Sequence, residues 1–150
     1  MSEVLKWELT FQQATKEDIP VIFAQSKTLI EQYEDISSID YGRVLQWMQK
    51  KLEENIAQYT RIVAEGETVG YYCLESREGE TELDDFYILP PFRGQGIGTS
   101  VLQKCLGEIT QPVFLYVFRG NTGAIQLYNR MGFVRAEDVS KTRMIMRRDG

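Results

Sequence analysis

Histidine is absent from the 150 residues of this chain. Its absence removes Ser-His-Asp and Cys-His nucleophilic systems, and zinc sites that need imidazole. Cysteine is scarce as well: Cys73 and Cys105 lie far apart and form no CxxC or related metal pattern. They read as reduced thiols that act as small hydrophobes. No apolar run approaches the roughly 20 residues that a membrane-spanning helix needs. The start "MSEVLKWELT" lacks the basic region and apolar stretch of a signal peptide. The expected setting is the cytoplasm, with no membrane partner. Nucleic acid is not an expected partner either: 17 basic against 22 acidic residues leave a net charge of -5, with no Lys/Arg-rich stripe for phosphates. Chemistry must then rest on carboxylates, tyrosine, backbone amides or the substrate itself, with no metal expected.

What is present reads as one α/β domain over residues 1–150, with room for a real core. Leu5, Trp7, Leu9 and Phe11 alternate with polar residues, as in a half-buried strand. Thr15, Glu17, Asp18 and Pro20 mark a helix start, and the apolar pattern runs to about Tyr33. Asp40 can cap a second helix whose apolar face is Val44, Leu45, Met48 and Leu52. "YTRIVAEGETVGYYCLES" predicts a hairpin turning at Glu65-Gly66-Glu67, and "TELDDFYIL" a further strand that stops at Pro90-Pro91. Helix, strand, helix, strand and strand follow, with Gly132 as a helix stop. The pattern is a mixed sheet with helices on both faces.

One stretch stands apart: "PPFRGQGIGTSVLQKC" places Gly94, Gly96 and Gly98 just after Arg93 and just before a helix. A helix start leaves amide N–H groups without partners and carries positive dipole potential, which suits an anion. The spacing is not that of a P-loop, and a dinucleotide fingerprint would sit earlier and space its glycines differently. R-x-x-G-x-G, as Arg93, Gly96 and Gly98, does fit.

Together with "LYVFRGNTGAIQLYNRMGF" about 25 residues later, this segment resembles the acetyl-CoA-binding units of the GNAT superfamily of N-acetyltransferases. Both units stand in the right order, and the likeness is strongest over residues 82–133. It implies a central mixed sheet of six to seven strands flanked by about four helices, with two strands splayed to form a coenzyme cleft. Acetyl-CoA is the implied co-substrate. Its pantetheine arm would run along the backbone of Phe86, Tyr87 and Ile88. Its pyrophosphate would rest on the loop from Arg93 through Gly94, Gln95, Gly96, Ile97 and Gly98 to Thr99. Asn121 matches the family's asparagine near the arm, and Tyr128 matches the tyrosine that contacts the coenzyme and gives a proton to the departing thiolate.

The base is left open among carboxylates of "ELDDFYIL". Strand alternation puts Glu82 and Asp84 on one face and Asp85 on the other. The order resembles the polyamine branch of the family, whose catalytic glutamate falls at Asp84; Asp85 remains a second candidate. Tyr116 stands where the branch acting on protein N-termini has its glutamate, which counts against that branch. Tyr33, Glu34, Asp35, Asp40 and Tyr41, with Glu82, are the candidates for contact with a cationic acceptor. The expected reaction moves an acetyl group to a primary amine of a small cationic molecule, polyamine-like or an amino sugar. A protein or peptide acetyltransferase and a non-catalytic acyl-CoA-binding module are the alternatives. The sequence is compatible with a homodimer and does not set the oligomeric state.

Overall fold

A computed structural model describes residues 8–150. Leu5 and Trp7, expected in the first strand, lie outside the described residues. That strand, β1 (Leu9–Gln13), keeps the expected alternation, with Leu9 and Phe11 packed on the core. It leads to α1 (Ile19–Tyr33), entered through a turn in which the Thr15 amide donates to the Asp18 carboxylate at 2.8 Å. Pro20 occupies the first turn, where its missing N–H costs nothing. The helix α2 (Tyr41–Asn55) is capped by Asp40, whose carboxylate accepts from the Arg43 amide at 3.1 Å.

The strands β2 (Tyr59–Ala64) and β3 (Glu67–Arg77) form the expected hairpin. Its turn residues, Glu65 and Gly66, have φ of 50° and 78°, the pair of left-handed conformations that a tight hairpin demands. β4 (Glu80–Ile88), α3 (Ile97–Gly107) and β5 (Val113–Phe118) make a parallel crossover. α4 (Thr122–Arg130), β6 (Val134–Asp138) and β7 (Arg143–Arg148) complete the chain.

The seven strands form one sheet in the order β1-β2-β3-β4-β5-β7-β6, antiparallel except between β4 and β5. Two apolar layers bury its faces. Ile97, Val101, Leu102, Tyr128 and Phe133 from the α3 and α4 side pack on Leu83, Val113, Leu115, Val117, Met144 and Met146. On the other face Ile19, Ile22 and Leu52 of α1 and α2 pack on Tyr59, Tyr71 and Cys73. Among the described residues no helix is long and apolar enough to cross a membrane.

β4 and β5 pair only at Thr81 with Val113 and Glu82 with Phe114. Beyond Glu82 the two parallel strands part, although both continue for several residues. A cleft therefore opens in the middle of the sheet, bounded by Asp84–Ile88 on one side and Leu115–Phe118 on the other. Backbone groups there lack ladder partners, so they are available to an extended ligand.

Candidate active site

The β4 strand does not alternate simply. Cys73 faces Asp84 and Tyr71 faces Tyr87, so three steps on β4 oppose two on β3. Asp85 carries the irregularity with φ of 46°, an uncommon conformation for any residue but glycine. Such a bulge resets the phase of side chains along a strand. Leu83 points to the α3/α4 face, and after the bulge so do Phe86 and Ile88, while Tyr87 joins the α1/α2 layer. Asp84 and Asp85 both meet Lys51 of α2, so they share one face. This corrects the expectation that alternation would place them on opposite faces.

The two carboxylates have different surroundings. Asp85 accepts from the hydroxyls of Tyr59, of Tyr87 at 2.9 Å and of Ser26 at 3.3 Å, and its other partner is Lys51 Nζ at 3.4 Å. Its side chain is 13% exposed. Among the described residues Asp84 pairs with no side chain but Lys51, and it is twice as open, at 26%. Burial, followed by the neighbouring charge of Asp85, pushes the Asp84 carboxyl above the usual carboxylate range; Lys51 pulls it partly back. Burial works against the Lys51 ammonium, but Asp85 and Asp84 outweigh it and hold its pKa above the ordinary lysine value. Asp84 is thus the carboxylate with lone pairs to spare and a raised proton affinity. Asp85 is saturated and acts as an anchor, which removes the geometric case for it as a base. The nearby Cys73 thiol is pushed up to about 12, first by burial and then by Asp84 and Asp85, so it offers no thiolate near neutral pH.

Ser26, Lys51 and Tyr59 were not among the expected site residues. Of these, Lys51 had a readable signal. It lies three residues after Met48 and seven after Val44, so a charged residue occupies the apolar stripe of α2. Ser26 and Tyr59 had none, because only packing of α1 and β2 against β4 brings them to Asp85.

Tyr128 projects from α4 toward the same cleft from the opposite face. The residue is 8% exposed, and its ring meets Phe133 edge-on at 5.7 Å. Among the described residues its hydroxyl has no hydrogen-bond partner. Burial first, then the charge on Asp84, holds the phenol well above its ordinary value. That influence crosses the sheet where β4 and β5 have parted.

At the end of β4 the chain makes one tight turn, Pro90–Phe92, and enters α3 through Gly96. Gly96 is the residue before the helix and has φ of 84°. Only glycine adopts this region at no steric cost, and the turn aims the free first-turn amides of α3 outward. Gly94, Gln95 and Gly96 are exposed, and Thr99 is half-buried. This corner suits an anionic ligand. Two expectations change. A Cβ on Gly98 would lie 3.5 Å from Leu127, 3.6 Å from Ile88 and 3.7 Å from Phe86, so this glycine serves close packing of α3 on β4 and faces away from the loop's outer surface. Arg93 is tied down within the chain, with Nε donating to the Ile88 carbonyl at 2.8 Å and Nη2 to Gln25 at 3.3 Å. It braces the loop, and it occupies one of the β4 carbonyls expected to meet the pantetheine arm. Ile97 is buried in the core. Asn121 caps α4, accepting from the Ala124 amide at 3.3 Å.

The loop candidates for substrate contact have local duties. Asp35 accepts from the amide and hydroxyl of Ser37, at 3.2 and 2.6 Å, and Asp40 caps α2. Glu34 accepts from the Thr142 hydroxyl. Tyr33 packs 6.0 Å from Phe118 and closes over Gly120. Tyr41 is half-buried in the first turn of α2, with its hydroxyl unpaired. Glu82 is buried against Arg77 at 2.8 Å, on the same face as Asp84. The acids of this loop, Glu34, Asp35 and Asp40, are therefore committed to caps and loop contacts. Among the described residues no group of acids and cysteines is arranged to hold a metal ion.

The family model "Acetyltransferase (GNAT) family" matches residues 22–133. The chain belongs to the GNAT acetyltransferase family. An uncharacterized N-acetyltransferase of Methanocaldococcus jannaschii is 30% identical over 105 residues, covering 62% of this chain and 45% of the relative. The spermine/spermidine N(1)-acetyltransferase of Bacillus subtilis is 29% identical over 82 residues, covering 46% and 54%. The chain thus spans about half the length of these relatives. Among solved structures, PaiA N-acetyltransferase from Thermoplasma acidophilum in complex with coenzyme A superposes with a TM-score of 0.70 at 18% identity, covering 95% of this chain and 99% of that one. The expected fold, a mixed sheet with flanking helices and a splayed central pair of strands, is the one observed.

Proposed function

We propose that this chain is a cytoplasmic N-acetyltransferase that moves an acetyl group from acetyl-CoA to a small primary amine arriving as an ammonium ion. The observation that carries the reading is the parting of β4 from β5 after Glu82, with Asp84 at its α1/α2 mouth and Tyr128 on its far side. An extended pantetheine arm fits the unpaired strand edge, and the pyrophosphate fits the α3 amides beyond Gly96. The family membership and the coenzyme bound to the Thermoplasma acidophilum neighbour support this.

Asp84 is the base. An ammonium of pKa near 10 is almost fully protonated at neutral pH, so attack requires proton removal. The raised proton affinity of Asp84 narrows the gap between donor and acceptor. The amine nitrogen then bonds to the thioester carbon and loses its second proton to water, the carbon–sulfur bond breaks, and CoA leaves as a thiolate. Tyr128 donates a hydrogen bond to that sulfur. Full transfer from the phenol to the thiolate is uphill, because a thiol's pKa near 8.5 lies below that of this tyrosine. Lys51 and Asp85 hold Asp84 in place. Release of CoASH from acetyl-CoA in the presence of primary amines tests the reading: turnover that collapses in Asp84→Asn supports it, and acetyl-CoA binding without turnover on any amine would leave a binding module instead.

A further inference from the structure

Resting on that reading, we infer that the acceptor is zwitterionic: a small amino acid whose ammonium meets Asp84 and whose carboxylate meets Arg143, not a polyamine. Charged side chains on the strands of the α1/α2 face of the sheet are mostly paired. Arg77 pairs with Glu82 at 2.8 Å and Arg147 with Glu80 at 2.7 Å. Lys51 holds both Asp84 and Asp85, so the aspartate pair with its lysine carries one net negative charge when ionised. One ammonium cancels it, and the other acids of the neighbouring loop are engaged: Asp35 and Asp40 cap helical turns and Glu34 accepts from the Thr142 hydroxyl.

Arg143 is the exception. Met144 and Met146 of β7 point into the α3/α4 core, which turns Arg143 and Ile145 to the other face. The Arg143 guanidinium lies 5.0 Å from the centre of the Tyr116 ring, and it makes no ion pair among the described residues. Tyr116 is 44% exposed, unusual for an aromatic in a central strand. Since Glu82 is in register with Phe114, Tyr116 stands level with Asp84 across the cleft. A stacked guanidinium with a free fork on one side thus faces an open carboxylate on the other. They are two strands apart, and Arg143, in register with Phe118, lies two residues farther along than the level of Asp84, a separation of at least roughly 12 Å before both side chains reach inward. A guanidinium held over a ring, with no acid paired to its fork among the described residues, is suited to bidentate capture of a carboxylate.

Three acceptors with the same five-carbon chain isolate the far end: 5-aminopentanoate, 1-aminopentane and 1,5-diaminopentane. The expected order of kcat/KM follows that sequence, with at least a 10-fold advantage for the carboxylate over the neutral end, as a charge-assisted hydrogen bond supplies. In Arg143→Ala the ratio of aminopentanoate to aminopentane falls toward one. Arg143→Lys, which keeps charge but not the fork, retains only part of it. Arg143→Glu inverts the preference toward the diamine. A wild-type preference for 1,5-diaminopentane, or an unchanged ratio in Arg143→Ala, would overturn the inference while leaving acetyl transfer standing. Calorimetric binding of the three compounds in the presence of CoASH reads the same preference without turnover. Absence of turnover on all three would therefore count against the enzyme alone, and equal binding affinities against the zwitterion.

Discussion

Asp84 and Asp85 are adjacent in sequence, yet both carboxylates face Lys51 on the same side of the sheet. The bulge at Asp85 makes this possible. It gives the site two acids with separate tasks, one saturated with hydrogen bonds and one left open.

If Asp84 is the base, as proposed, the open acid sets the pH dependence. Asp84 works as a base only when ionised, and its carboxyl is raised above the usual range by burial and by Asp85. Activity should therefore be lost as pH falls through a value higher than that of an ordinary aspartate, and be retained above it. In Asp84→Asn, kcat/KM should drop about 100-fold at neutral pH and recover partly at high pH, where free amine is plentiful. A pH–rate profile measures both. A variant that keeps the wild-type acid limb would assign that limb to another group.

Lys51 acts on Asp84 with the opposite sign. Its ammonium lowers the carboxyl's proton affinity, so Lys51→Met should move the acid limb to higher pH. Lys51→Arg keeps the charge and should largely restore the limb. The groups that face this lysine are Asp84 and Asp85 of β4 and Trp47 one turn earlier on its own helix. If Lys51 were merely packing, both variants would lower kcat without moving the limb.

Tyr59→Phe separates the anchor from the base. Removing this hydroxyl takes one hydrogen bond from Asp85, which keeps those of Tyr87, Ser26 and Lys51. The expected cost is about 1–2 kcal/mol of unfolding free energy, read by denaturant titration. Turnover should fall far less than in Asp84→Asn. The reverse order of effects would move the base to Asp85.

Tyr128→Phe should leave stability almost unchanged, because the lost hydroxyl has no hydrogen-bond partner among the described residues. Affinity for acetyl-CoA should also hold, while kcat falls by about 10- to 100-fold. Full kcat in this variant would return Tyr128 to a packing role beside Phe133.

Gly96→Val cannot be a clean binding variant, since a β-branched residue at φ of 84° costs about 1–3 kcal/mol of strain. Asparagine tolerates the left-handed region. Gly96→Asn should keep most of the melting temperature and still lose acetyl-CoA affinity by obstructing the α3 amides. Unchanged calorimetric affinity would remove the loop as the phosphate site.

Much of this protein is written in short-range pattern. Alternation marks Leu9 and Phe11, side-chain capping marks Asp40, and paired left-handed residues mark Glu65-Gly66. The glycine loop with its helix, and the second motif ending in Gly132-Phe133, point to the family because each unit's conformation depends on residues within a few positions of one another. Long-range relationships were decided only on folding. Nothing local to "ELDDFYIL" announces that Asp85 adopts a left-handed conformation, because the bulge depends on the register with β3. Ser26, Lys51 and Tyr59 converge on Asp85 from three elements. Arg143 stands out as unmatched only because Arg77 and Arg147, on its face, meet Glu82 and Glu80 brought to them by β4. Periodicity reports which face a side chain takes within its own element, whereas the partner across the fold is set by how the layers dock.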